Sequence, residues 1–275
     1  MNTRVLKTVL VLTPLLAFGQ LLAAQDAVVS SAAPAIPTDE IIRRFAAKEK
    51  EFKLARENYT YRQSVKILDM GRGGDRIEGK YELTEDVMFG ANGRRIEKVI
   101  YSPVPTLVNL VMTGEDEHDL RSIQPFVLTS DDIGKYDLRY LGRQKIDEID
   151  CYLFYVKPKM YAKGERYFEG QIWVDDRDFQ IVKTFGKAVP DIHKKNGDDN
   201  IFPRFETYRE QIDGKYWFPT FTKAEDVLNF KDGGIHIQEI VKYENYKMFR
   251  SSSTVTFGGE APEDKKPETK KPDKP

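Results

Sequence analysis

The chain has 275 residues, of which 43 are basic and 44 acidic, so its formal net charge is −1. This balance gives no sign of a nucleic-acid-binding protein. The single cysteine, Cys151, excludes an internal disulfide, so a stable fold has to rest on its hydrophobic core.

The first 24 residues are typical of a secretory signal peptide. Two basic residues precede an apolar run at 9–18, and small residues at Ala23 and Ala24 offer a cleavage site. The run is far shorter than the ~20 residues of a membrane span, and no cysteine stands at the cleavage region for acylation. We therefore predict cleavage, a flexible leader at 25–37, and a periplasmic protein that is not lipidated.

The residues from Thr38 onward predict an amphipathic helix. Thr38 can cap its start, so we expect a helix from residue 39 to about residue 57. Its polar face alternates basic residues with Glu49 and Glu51, which is typical of a solvated face; a basic membrane-binding face is the alternative. Its apolar face consists of Ile41, Ile42, Phe45, Phe52 and Ala55.

Apolar and polar residues then alternate, which predicts antiparallel strands at 58–70, 77–89 and 94–101. The last two are joined by residues 90–93, where Asn92-Gly93 is a strong hairpin signal. Between 103 and 135 the alternation stops, and we predict one or two short helices and a loop. Its apolar content exceeds that of an exposed loop, so the segment is either a permanent cap on the core or a lid over a hydrophobic cavity.

Alternation resumes at 136–142 and 148–157 and continues in a hairpin at 167–185 that turns at its Asp-rich residues 175–178. Further strands are predicted at 205–212, 216–223, 224–230 and 234–249. About ten strands in one strongly bent sheet, with few helices, make a mainly β fold of the α+β class. The Lys-, Glu- and Pro-rich residues 251–275 are expected to be disordered.

The order of a leading helix, long strands and a helical insertion is accompanied by a characteristic strand. That strand is Gly170-Gln171-Ile172-Trp173-Val174-Asp175, followed by Ile181-Val182-Lys183. Over residues 38–250 the chain resembles the LolA-like superfamily of periplasmic outer-membrane lipoprotein carriers, with RseB-like and lipid-binding relatives, and most of all an uncharacterised exported bacterial subgroup.

The resemblance implies an open half-barrel covered by the N-terminal helix and a short helical lid, with an apolar cavity that receives acyl chains. The carrier's Arg-Pro pattern is absent at Arg94-Arg95, so no lid latch is assigned there. The expected function is binding of a lipid or lipoprotein by a monomer, without catalysis; an RseB-like signalling or scaffold module that contacts membrane or envelope proteins is the alternative. The candidate ligand-binding residues are Leu107, Leu110, Val111, Met112, Phe168, Ile172 and Val174.

No pattern predicts a metal, a cofactor or a catalytic residue. The three histidines, at 118, 193 and 236, are widely separated, and the acidic residues at 175–178 suit a turn better than a calcium loop. There is no Gly-x-Ser-x-Gly nucleophile elbow and no phosphate-binding loop. Cys151 lies in a strand-like run and is expected to be half-buried.

Overall fold

The computed structural model describes residues 29–30, 33–90, 92–193 and 199–249, so the predicted signal peptide and C-terminal tail lie outside the described residues. Two α-helices, α1 (Thr38–Arg56) and α2 (Gly114–Ser122), and a short 3-10 helix at Ile133–Lys135 accompany ten strands. The strands are β1 (Tyr59–Asp69), β2 (Gly79–Phe89), β3 (Arg95–Tyr101), β4 (Tyr136–Ile146), β5 (Ile149–Pro158), β6 (Tyr167–Asp175), β7 (Ile181–Val189), β8 (Arg204–Ile212), β9 (Tyr216–Phe230) and β10 (Gly233–Met248).

All ten strands form one antiparallel sheet in the order β3-β2-β1-β10-β9-β8-β7-β6-β5-β4. Consecutive strands pair with each other except β3 and β4, and β1 also pairs with β10 from Tyr59↔Met248 to Asp69↔Ile237. The sheet is open, with β3 and β4 at its edges. This confirms the predicted mainly β fold with about ten strands in one sheet.

The predicted hairpins are present, with one difference in β9. The two strands predicted at 216–223 and 224–230 form one strand of 15 residues. No turn residue separates Lys223 from Ala224, and β10 pairs continuously with both halves. The alternation in β1 is as expected, since Tyr59, Tyr61, Val65 and Ile67 are all buried.

Helices α1 and α2 pack on the same face of the sheet, which we call the inner face. Helix α1 begins at Thr38 with Pro37 in the N-cap position, so Thr38 does not cap it as predicted; the Pro37 carbonyl accepts from the Glu40 and Ile41 amides at 3.0 and 3.1 Å. The inward residues Ile41 and Phe45 are fully buried, and the Phe45 ring lies 5.8 Å from that of Phe154.

The expectation that Glu49 lies on a solvated face is wrong. Its side chain is completely buried and forms an ion pair with Arg209 of β8 at 3.0 Å, while its Oε1 accepts from the Ile181 amide at 3.1 Å. The spacing from Phe45 explains this position, because residues four apart share one helix face. Glu51, by contrast, is exposed as expected.

The segment between β3 and β4 crosses the inner face. Its first apolar run lies in an extended loop at 102–113, the acidic residues that follow form α2, and a second apolar run comes after the helix at 123–128. Pro103 and Pro105 disfavour a helix in the loop. Thr113 starts α2 with a capping box in which its side chain and that of Asp116 bind each other's backbone amides.

Candidate functional site

A cavity of about 830 Å³ lies on the inner face, under the loop 102–113 and α2. Its far wall is the end of the sheet formed by β8, β9 and β10, and residues 199–203 close one side. Apolar side chains form slightly more than half of the wall, and polar side chains such as Asn109, Asp116, Asp119, Asp199 and Asn200 form much of the rest. The apolar lining includes Ile67, Leu107, Leu110, Met112, Leu120, Phe202, Phe205, Leu228, Phe230, Ile235 and Ile237.

The four predicted loop residues all line this cavity. Leu110 packs against Leu228, Ile235 and Ile237, while Leu107 and Met112 pack against the cluster around Val65 and Val241. Val111 lies at the mouth with 82% of its surface exposed. The loop therefore supplies a wall of the cavity.

The three predicted sheet residues lie elsewhere. Phe168, Ile172 and Val174 are completely buried in the cluster beneath α1 and do not line the cavity. Phe126, from the segment after α2, stacks on Phe168 with ring centroids 4.5 Å apart. This half of the inner face is filled by the protein itself, so the candidate site contains only the four loop residues of the predicted set.

Buried Asp69, at the end of β1, holds the loop in place. Its carboxylate accepts from the amides of Val108 and Asn109 at 3.0 and 2.7 Å and from that of Gly71 at 2.9 Å. Burial alone would raise the pKa of Asp69, but these donors and the Asn109 side chain outweigh it and hold the pKa below its usual value. The loop also lies directly on β2, because a Cβ at Gly79 would stand 2.2 Å from the Thr106 carbonyl oxygen.

A buried ion pair fixes α2. Asp119 and Arg166 meet at 2.6 Å with only 7% of each side chain exposed, and the Arg166 guanidinium lies 3.8 Å from the centre of the Phe202 ring. Burial raises the pKa of the Asp119 carboxyl, although the arginine opposes this. The two partners lie 47 positions apart in the chain, and no local pattern links them.

At the deep end of the cavity lie Glu239 of β10 and Gln124, which follows α2. Only 4% of each residue is exposed, and Gln124 Nε2 donates to Glu239 Oε1. Burial raises the pKa of Glu239 to about 7, against the hydrogen bond from Gln124, and Asp116 and Asp119 raise it further. We call Glu239 and Gln124 the cavity floor.

The mouth is at the opposite end, where β9 turns into β10. The exposed side chains of Arg72, Lys231 and Asp232 surround it, together with Val111. The cavity thus has a charged, accessible mouth, walls of mixed apolar and polar side chains, and a floor that contains Glu239.

A second anchor holds the segment after α2. Arg209 donates to the Phe126 carbonyl and to the Ile181 carbonyl in addition to its ion pair with Glu49. Sequence analysis missed Glu49, Arg209 and Glu239, although each stands where the apolar pattern points inward. Arg209 follows Phe205 and Thr207 at every second position, and Glu239 follows Ile235 and Ile237 in the same way.

The described ranges contain no group of three or more His, Cys, Asp or Glu residues arranged to hold a metal ion. In the same part of the chain, neither helix has the length and apolar character needed to cross a membrane. Cys151 is completely buried, more than expected, and burial raises the pKa of its thiol to about 12.

No protein-family model matches the chain, and no curated protein does. Among solved structures, a DUF1329 family protein from Desulfovibrio piger has a TM-score of 0.41 and 15% identity over 77% of this chain and 93% of that chain. A LolA superfamily protein from Nitrosomonas europaea has a TM-score of 0.37 and 15% identity over 78% and 95% of the two chains. A domain described as an outer membrane lipoprotein-sorting protein, from Vibrio parahaemolyticus, has a TM-score of 0.34 and 12% identity over 75% and 92%.

Two of these three structures carry names of the superfamily that the sequence resembles. At these identities the likeness concerns the fold alone.

Proposed function

We propose that this chain is a non-catalytic periplasmic protein that binds a lipid, or the acyl chain of a lipoprotein, in the cavity under the loop 102–113. The observation that carries the proposal is the cavity itself: about 830 Å³, with a lining that is slightly more than half apolar and an accessible mouth. Pockets of this size that combine apolar walls with placed polar groups are typical of small-molecule sites.

Burial of the ligand's acyl chain would supply the binding free energy. Each CH₂ group moved from water into such a cavity contributes ~0.8 kcal/mol. A chain of about ten CH₂ groups would gain roughly 8 kcal/mol, from which an association cost of ~4 kcal/mol or more is subtracted. Affinity is therefore expected to rise about fourfold per added CH₂ until the cavity is full.

Exposed apolar side chains near the mouth favour exchange with a membrane or a lipidated partner. Val108 and Val111 are 70 and 82% exposed, and both lie in the loop that covers the cavity. Their side chains would lose unfavourable contact with water on touching an apolar surface. We propose that ligands enter and leave past these residues.

A matched pair of variants tests the site. Leu110→Glu places a charge in the apolar wall and is expected to weaken binding of a fluorescent fatty acid at least tenfold. Val104→Glu makes the same kind of change in the same loop, at a residue that does not line the cavity, and is expected to bind as the unmutated protein does. If both variants bind the fatty acid equally well, its acyl chain does not lie in this cavity.

A second candidate function is docking of an envelope protein, favoured by the edge strand β3. Ile96, Val99, Ile100 and Tyr101 on this strand are all at least 43% exposed, and an edge strand offers unpaired backbone groups to another chain. Under this alternative, Val99→Lys would abolish a stable complex with the partner and leave fatty-acid binding unchanged.

A further inference from the structure

The cavity floor carries a buried carboxyl group next to a buried amide group, those of Glu239 and Gln124. Gly233 at the mouth and Glu239 at the floor lie on the same strand, six residues apart, which corresponds to about 20 Å of extended chain. Between them Ile235 and Ile237 face the cavity. A simple acyl chain that filled this length would end with its apolar tip against a buried carboxyl group.

Nothing in the described part of the chain neutralises Glu239. Its neighbours across the sheet are Ile67 and Ala224, and the hydrogen bond from Gln124 is its only side-chain bond there. The other groups that face it are acidic or neutral. Asp119 is paired with Arg166, Asp116 is bound by Thr113 and by Asn200 at 3.4 Å, and Tyr243 lies on the same strand.

The floor also contains an unused acceptor. Gln124 is nine-tenths buried and lines the cavity, and its side-chain oxygen Oε1 has no hydrogen-bond partner among the described residues. Buried polar atoms are normally paired. The Glu239 carboxylate, which has no cationic partner within the described ranges, thus lies beside the unpaired Oε1 of Gln124. A hydrogen-bond donor in the cavity would satisfy both groups.

We propose that the cavity floor binds the primary ammonium group of a single-chain amphiphile, with Glu239 and Gln124 as acceptors and the chain lying along the walls toward the mouth. This inference rests on the proposed function, because it assigns polarity and orientation to the ligand of the same cavity. An ammonium group has three donors and no acceptor, so it can satisfy both oxygens at once. Its contact with a carboxylate in a water-poor site is a charge-assisted hydrogen bond, stronger than a neutral one.

The pH dependence of binding follows from the floor. An ammonium ligand binds the ionised form of Glu239, whereas burial holds the pKa of this group at about 7. Between pH 6 and pH 8 the ionised fraction rises about tenfold, while an alkylamine with a pKa near 10 stays charged. The affinity for the amine is therefore expected to rise about tenfold over this range.

The test is calorimetric titration of the full-length mature protein with decylamine, decanol and decanoate, which share one chain length. At pH 8 decylamine is expected to bind at least tenfold more tightly than decanoate. Glu239→Gln keeps the side-chain shape and is expected to lose both this preference and the pH dependence. Glu244→Gln, an exposed position on the same strand, is the matched control and is expected to keep both.

The outcomes separate the inference from the proposed function. Equal affinity for the three ligands, or an undiminished amine preference in Glu239→Gln, overturns the inference and leaves chain binding intact. Failure of all three to bind overturns the proposed function. If Glu239→Gln does not fold, the test rests on the unmutated protein. A preference for decylamine that increases from pH 6 to pH 8 supports the inference, and its absence overturns it.

Discussion

Replacing Glu239 with Gln is expected to change how the stability of the free protein depends on pH. The carboxyl group is buried with a pKa of about 7, compared with an ordinary value of 4.5. The folded protein thus holds this proton more tightly than the unfolded chain does. The resulting stabilisation is fully present below pH 4.5 and is lost as the pH rises through about 7.

The two pKa values set the size of the effect. Above pH 7 Glu239 is ionised in the folded protein. Burial of this charge lowers the free energy of unfolding by about 3 kcal/mol relative to acid pH. The amide side chain of the variant would carry no such charge. Glu239→Gln should therefore match the unmutated protein near pH 4 and exceed it by up to about 3 kcal/mol at pH 8.5, or roughly 6–12 °C in Tm for a domain of this size.

Urea unfolding followed by tryptophan fluorescence, at intervals from pH 4 to pH 9, measures this difference. Buried carboxyl groups that are not coupled to Glu239, such as Asp175, contribute to the pH dependence of both proteins and cancel in the comparison. Glu244→Gln should follow the unmutated protein throughout. Parallel curves for Glu239→Gln and the unmutated protein would refute the reasoning, because they would mean that folding does not alter the affinity of this group for its proton.

Two further substitutions and one labelling experiment test the anchors and the core. Arg209→Met leaves the Glu49 carboxylate buried and unpaired and should lower the unfolding free energy by ~3–5 kcal/mol; a loss below about 1 kcal/mol in urea unfolding would show that the pair is solvated. Asp69→Ala removes the acceptor for the loop amides and should speed proteolysis within residues 105–113 about tenfold, whereas an unchanged cleavage rate would mean that other contacts hold the loop. Cys151 should resist a thiol reagent in the folded protein and react on unfolding; rapid labelling of the native protein would contradict its burial.

Local patterns were sufficient to predict most of the sheet. The strands alternate with a period of two, and turn residues such as Asn92-Gly93 and Asp213-Gly214 stand between them, so hairpins follow from neighbouring residues alone. The pairing of β1 with β10 joins residues that are 168 to 189 positions apart and has no local signal. The resemblance to a known superfamily, rather than periodicity, was what suggested a covered open sheet.

The candidate site was predicted in part. Leu110 and Ile172 are indistinguishable by residue type, since a packed core and a cavity wall both require apolar side chains. What separates them is the part of the chain that lies opposite: Phe126 and α1 fill the space over β6, whereas the loop 102–113, anchored by Asp69, leaves a cavity beside Leu110. Such spacing depends on contacts between distant parts of the chain.

The polar residues of the site carried a signal that was not used. Glu49, Arg209 and Glu239 each occupy an inward position of an otherwise apolar pattern. A charged residue at such a position has to be paired or to serve a ligand, because burying it alone is costly. Glu49 and Arg209 pair with each other, which leaves Glu239 as the residue that bears on ligand chemistry.

Native mass spectrometry with lipid extraction, on protein purified from the periplasm without detergent, tests the central proposal most directly. A discrete bound mass that is extractable as lipid, and that is lost in Leu110→Glu but retained in Val104→Glu, is the predicted result. A protein that is empty, and that also fails to take up added decylamine, decanoate or a fluorescent fatty acid, would contradict the proposal and favour a protein partner at β3.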